Sequence, residues 1–159
     1  AWYNEVVAFK YMPFNLQAAL GYAQFQRIDE LVGKKRWILE QYREGLKGLS
    51  GVEFNFERPD DVNGAWCTTV VFAPKLGINK ISALEFLEAK KISARPFFFP
   101  LSMLPAFGAR EEEGQKANPV AYDISCRGIC LPSALNLEVS DIAFVCKMVR
   151  ELVEHHGEP

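Results

Sequence analysis

Two long helix-period stretches enclose a set of short, β-branched, proline-bounded segments, and this arrangement leaves few folds open. From Asn15 the apolar residues Leu16, Ala19, Leu20, Ala23, Ile28, Leu31 and Val32 recur at helical spacing. A second stretch, Lys34 to Leu49, carries Trp37, Ile38, Tyr42 and Leu46 on one side, and Gly33 marks the expected break between the two. Asn15 is the expected N-cap, since its side-chain oxygen can take an orphan amide of the first turn. Pro13 keeps the entry extended, and Gly48 and Gly51 bracket the end of the second helix. A last helix, opened by Ser140 or the loop before it, carries Ile142, Val145, Cys146, Val149 and Leu152.

Between these helices the pattern changes. Val52 to Phe56 alternates and Ala65 to Phe72 is β-branched and aromatic, so both read as strands. Ile81, Leu84 and Leu87 predict a helix over Lys80 to Lys90. Ile92 to Arg95 reads as a short strand, Pro119 to Ser125 as a short helix, and Gly128 to Leu131 as a strand ending at Pro132. Phe97-Phe98-Phe99 has a proline on each side and cannot belong to a long regular element. Arg110 to Lys116, charged and glycine-containing, reads as an exposed, mobile loop. The sum is a two-layer α/β (α+β) domain, and 159 residues suffice for one real core.

A formal charge of -2 makes no electrostatic case for nucleic acid or an anionic membrane. No apolar run approaches the roughly 18 residues that span a bilayer. Cys67, Cys126, Cys130 and Cys146 read as free thiols of a cytoplasmic protein, mostly buried. The Cys126–Cys130 spacing lacks the second ligand pair of a zinc site, and His155-His156 reads as a frayed terminus, so no metal site is expected. No glycine-rich dinucleotide fingerprint follows a strand. The chain begins at Ala1 without an initiator methionine, which fits a fragment or a processed product.

Four stretches, in order, carry a family resemblance. Ala8-Phe9-Lys10-Tyr11 followed by Asn15-Leu16-Gln17-Ala18-Ala19 resembles the turn and helix start that open the C-terminal domain of the DegT/DnrJ/EryC1/StrS sugar aminotransferases. Gly64-Ala65-Trp66 with Thr68 to Phe72 is similar to the family strand that opens on tryptophan. Ile92 to Leu101, continued by Leu104-Pro105-Ala106-Phe107, resembles the family's arginine–proline–aromatic loop. Arg127 to Ser133 is similar to its Gly-(Ile or Val)-x-Leu-Pro-Ser strand end.

The resemblance implies the small C-terminal domain of a fold-type I enzyme that uses pyridoxal 5'-phosphate (PLP). Residues 1–14 would be the entry turn from a missing N-terminal domain, and 15–159 the small domain. Such an enzyme passes an amino group, with glutamate as the expected donor, to a nucleotide-linked keto-deoxysugar in amino-sugar and polysaccharide biosynthesis. PLP is held through its phosphate and through an imine to a lysine. That lysine belongs to the missing domain, so no catalytic residue is assigned here, and this chain alone is expected to be inactive. Lys34, Lys35, Lys90 and Lys91 read as solvated. A minority of the family works as dehydratases with the lysine replaced, and that distinction also lies in the missing domain.

Several positions take a role by resemblance. Lys10 would hydrogen-bond the cofactor phosphate of a neighbouring subunit in a homodimer, with Tyr11 lining the same pocket. A surface lysine and a tyrosine packed on the helix start are the alternatives. Met12 stands where many members have a polar residue. Arg95 would fork onto a carboxylate or phosphate near the sugar nucleotide, against the alternative of a structural ion pair. Phe98, with Phe97 and Phe99, would stack on a sugar or base, against the alternative of core packing. Ser102 stands where many members have histidine, so it would give a hydrogen bond to substrate and not a proton relay. The competing reading is a small non-enzymatic α/β binding or regulatory module. An open apolar face would favour the enzyme domain, a self-contained surface the module.

Overall fold

The computed structural model describes residues 5–7, 12–108 and 110–157. Among them are six α-helices and one four-stranded sheet, the expected two-layer mixture: α1 (Asn15–Phe25), α2 (Ile28–Gly45), β1 (Val52–Phe54), β2 (Thr69–Phe72), α3 (Lys80–Ala89), β3 (Arg95–Pro96), α4 (Glu111–Ala117), α5 (Pro119–Arg127), β4 (Gly128–Cys130) and α6 (Val139–Gly157). The strand order is β1-β2-β4-β3, and every neighbouring pair is antiparallel. Thr69 and Arg95 both sit opposite Cys130 on the central strand β4. Opposed residues of a ladder point to the same side of the sheet, so these three side chains share one face.

The other face carries the core. Val70 and Ile129, themselves opposed, are fully buried together with Phe72. They pack in one cluster with Ile38, Tyr42 and Leu46 of α2 and its C-terminal turn, and with Ile142, Val145, Val149 and Leu152 of α6. The apolar stripes read for α2 and α6 are therefore the stripes that are buried. Arg150 of α6 donates to the carbonyls of Gly45 (2.9 and 3.1 Å) and Lys47 (2.9 Å), capping the end of α2. Lys90 pairs with Glu151 at 2.6 Å and ties α3 to α6.

Several expectations need correction. The first break falls at Gln26–Arg27, not at Gly33, which lies inside α2. A Cβ at Gly33 would meet nothing within 4 Å, so its place on the exposed helix surface needs no bend. The N-cap of α1 is Phe14, not Asn15, and the Gln17 side chain accepts the Phe14 amide at 3.3 Å. Residues 110–116 are mostly helical, in α4, because Gly114 packs closely beneath Ser102 and Tyr122. The β strands are shorter than the apolar runs that announced them. The lysines are mostly not free in solvent: Lys34 donates to the Leu137 carbonyl at 3.0 Å, Lys35 to that of Ser133, and Lys90 holds Glu151. Cys126 is exposed, unlike Cys130 and Cys146.

One element stands apart from the core. No residue of α1 is buried, although Leu16, Leu20, Tyr22 and Phe25 are all large and apolar.

Candidate functional site

Local sequence builds the open face of the sheet. Ala65 has φ 49°, a left-handed value that a non-glycine residue adopts at a cost of ~1–2 kcal/mol. Its amide donates to the Asn63 side chain at 2.8 Å, which holds the turn, and its methyl is buried. The turn turns Trp66 outward, 61% exposed, before the chain enters β2. Across the face, the proline-bounded aromatic run splits three ways. Phe97 covers Gly128, where a Cβ would approach its ring to 2.8 Å. Phe98 points out, 47% exposed, with its ring 6.2 Å from that of Trp66. Phe99 lies beneath the Lys80 ammonium, 3.8 Å from it.

Between Trp66 and the end of β4 lies a cleft of about 550 Å³, lined by Lys35, Cys67, Ser93, Arg95, Cys130 and Ser133 among others. The Arg95 side chain is exposed, and its guanidinium forms no hydrogen bond or ion pair among the described residues. The structural ion pair that was its alternative is thus not formed there. The loop after β4 is set by α2: Tyr42 donates to the Pro132 carbonyl at 2.9 Å, alongside the Lys35 and Lys34 bonds to Ser133 and Leu137. Burial pushes the Tyr42 hydroxyl far above its ordinary value, so it stays a donor. Within the cleft the Cys67 thiol is drawn down to about 7, first by hydrogen bonding from Cys130 and then by Ser133, Lys35 and Arg95, against the opposing effect of burial. The Cys130 thiol is held well up, by the same hydrogen bond and by burial.

Among the residues singled out in the sequence, Arg95 and Phe98 reach this one open face. Ser102 lies elsewhere, half-buried, with its hydroxyl 3.0 Å from that of Tyr122. Lys10 and Tyr11 lie outside the described residues. The sequence reading missed Lys35, Cys67 and Cys130 as members of the site. They lie 32 and 63 residues apart in the chain, and no spacing rule joins them.

The DegT/DnrJ/EryC1/StrS aminotransferase family matches residues 1–150. This chain belongs to that family. Family relatives with curated names include the GDP-perosamine synthase of Vibrio cholerae, 32% identical over 94% of this chain and 40% of its own length. The PLP form of Spr1654 from Streptococcus pneumoniae, a provisionally assigned sugar aminotransferase, matches with a TM-score of 0.77 at 19% identity. That match covers 94% of this chain and 38% of the other. DesI, solved in the presence of its TDP-sugar product, gives a TM-score of 0.71 at 22% identity, over 89% of this chain and 38% of its own. The chain spans about 40% of the length of the family relative it matches in Vibrio cholerae. No described helix is long and apolar enough to cross a membrane.

Proposed function

We propose that this chain is the smaller, C-terminal domain (15–159, with 1–14 as the entry turn) of a cytoplasmic, homodimeric PLP-dependent aminotransferase. Its substrate is a nucleotide-linked keto-deoxysugar and its amino donor is glutamate. The observation that carries the reading is Arg95: an exposed guanidinium without a partner among the described residues, on an open sheet face beside two outward aromatics. A guanidinium forks onto the planar oxygens of a phosphate or carboxylate. Trp66 and Phe98 offer apolar faces to a sugar or base. Ser102, held by Tyr122, offers a hydrogen bond at the edge of the same domain.

The described residues fit PLP only in part. Arg95, Lys35 and Ser93 make a donor set suited to a phosphate-bearing ligand. Lys34, Lys35 and Lys90 are engaged by carbonyls or a carboxylate, so none is offered as the cofactor's anchor. PLP, when bound, supplies the electron sink for moving an amino group between carbons. Lys10 and Tyr11 are proposed to reach the cofactor phosphate of the neighbouring subunit.

The exposed apolar α1 supports a domain that packs on something larger. A helix apolar on all sides belongs in a buried setting. The self-contained binding module gains no support from such a surface.

The test uses the longer protein that contains this chain. Arg95→Ala is expected to raise KM for the nucleotide keto-sugar at least tenfold, a loss of about 1.4 kcal/mol or more, with a smaller change in kcat. An unchanged KM overturns the role of Arg95. The 159-residue chain by itself, mixed with PLP and glutamate, is expected to leave the cofactor absorbance unshifted and to turn over nothing.

A further inference from the structure

The cleft beside Arg95 holds a nucleophile that the aminotransferase reading leaves unused. Cys67 is half-buried at the entrance to β2, so its sulfur is reachable. Its Sγ lies 4.0 Å from the Ser133 hydroxyl and about as far from the carbonyls of Thr68 (3.9 Å) and Leu131 (4.0 Å). Lys35 from α2 and Arg95 from β3 line the same cleft, and no aspartate or glutamate lines it. Cationic, partly exposed surroundings of this kind favour a thiolate and make a cysteine reactive. The other three thiols differ: Cys130 and Cys146 are buried, and Cys126 is exposed on α5.

We infer that Cys67 is a site of covalent modification by electrophiles that bear a carboxylate or phosphate, with Lys35 and Arg95 holding the anion while the sulfur attacks. The lowered pKa of the thiol, about 7, agrees with this geometry. With a haloacetate as electrophile, the thiolate sulfur forms a bond to the methylene carbon. The carbon–halogen bond breaks with both electrons leaving on the halide, and no oxidant is needed. The inference rests on the cleft alone and does not depend on the aminotransferase reading.

The experiment compares two reagents that differ in charge at the reacting end. The whole chain is treated near pH 7 with limiting iodoacetate or iodoacetamide, and labelling of each cysteine is followed by peptide mass spectrometry. The expected result is that Cys67 is labelled before Cys126. Its iodoacetate-to-iodoacetamide rate ratio should exceed that of Cys126 by roughly threefold or more, the size expected of two partly solvated charge contacts. Because both thiols sit in one molecule, the comparison needs no variant. Arg95→Gln and Lys35→Gln should each lower the ratio at Cys67 and leave that at Cys126 unchanged. Preferential labelling of Cys126, or equal ratios at the two sites, overturns the inference.

Discussion

Helices α1 and α6 are both rich in apolar residues, yet they meet opposite fates. In α6 the apolar residues form a stripe, and Ile142, Val145, Cys146, Met148, Val149, Leu152 and Val153 are all buried against α2, α3 and the sheet. In α1 they run around the helix, and Leu16 (71% exposed), Leu20, Tyr22 and Phe25 all face outward. One helix carries the stability of the domain, while the other carries apolar surface that this domain does not use. The sheet repeats the contrast on a smaller scale. Its Val70–Ile129 face is sealed by helices, and its Arg95–Cys130–Thr69 face is open.

The largest expected effect tests the α6 side. Leu152→Ala removes a fully buried side chain and should cost about 3 kcal/mol in urea unfolding of the chain. A loss below 1 kcal/mol would mean that α6 is not the central packing element. Gly45→Ala comes next. A Cβ there would lie 2.5 Å from Cys146 Sγ and 3.2 Å from its Cβ, in the contact between α2 and α6. Overpacking should cost about 2 kcal/mol. The double variant Gly45→Ala, Cys146→Ala should recover most of it, and the recovery in a double-mutant cycle measures the contact.

Two smaller effects sharpen the contrast between the faces of the sheet. Thr68 is fully buried and its hydroxyl has no hydrogen-bond partner among the described residues. Thr68→Val replaces that hydroxyl with a methyl of similar shape, and a gain of about 1 kcal/mol is expected in thermal or urea unfolding. On the open face, the Cys67 thiol is more acidic folded than its ordinary value of 9.0, at about 7. A depressed folded value stabilises above the unfolded pKa, and that contribution is lost as the pH falls through the folded one. The stability difference between wild type and Cys67→Ser should therefore grow as the pH rises from about 7 to 9, by on the order of 1 kcal/mol after solvent screening. A difference that stays flat across that window would remove the thiolate from the cleft.

The smallest effect is the one predicted for α1. Leu20→Ala in this chain should change unfolding by under about 0.5 kcal/mol, because the side chain already sits in water. A loss comparable to that of Leu152→Ala would show that α1 is covered in solution.

Where the reading of residues agreed with the fold, the physics was local or periodic. The helix over 80–89 was legible from the spacing of Ile81, Leu84 and Leu87, although Ile81 is exposed and Ala83 and Leu87 are the buried residues, and its start is capped by Asn79, which accepts the amides of Ile81 and Ser82 at 2.9 and 3.0 Å. The misreadings arose where a distant contact decided the outcome. Charged residues 111–113 looked like a loop, and it is the packing of Gly114 under Ser102 and Tyr122 that seats a helix there. Gly33 looked like a break, but an exposed helix position tolerates glycine at a modest cost. Arg95 and Phe98 could be singled out because a proline-bounded aromatic run is conspicuous in a sequence. Lys35 and Cys67 were not, because each is ordinary among its neighbours.

Periodicity and chain chemistry alone were enough to anticipate the helical and strand segments, though not their bounds, together with the broken aromatic run and the family motifs, since each depends on residues within a few positions of one another. Which apolar helix would be buried, which face of the sheet would stay open, and that side chains from α2, the segment just before β2, β3 and β4 would meet in one cleft all followed from antiparallel register and helix packing. Those depend on residues tens of positions apart, and no local pattern encodes the distance between them.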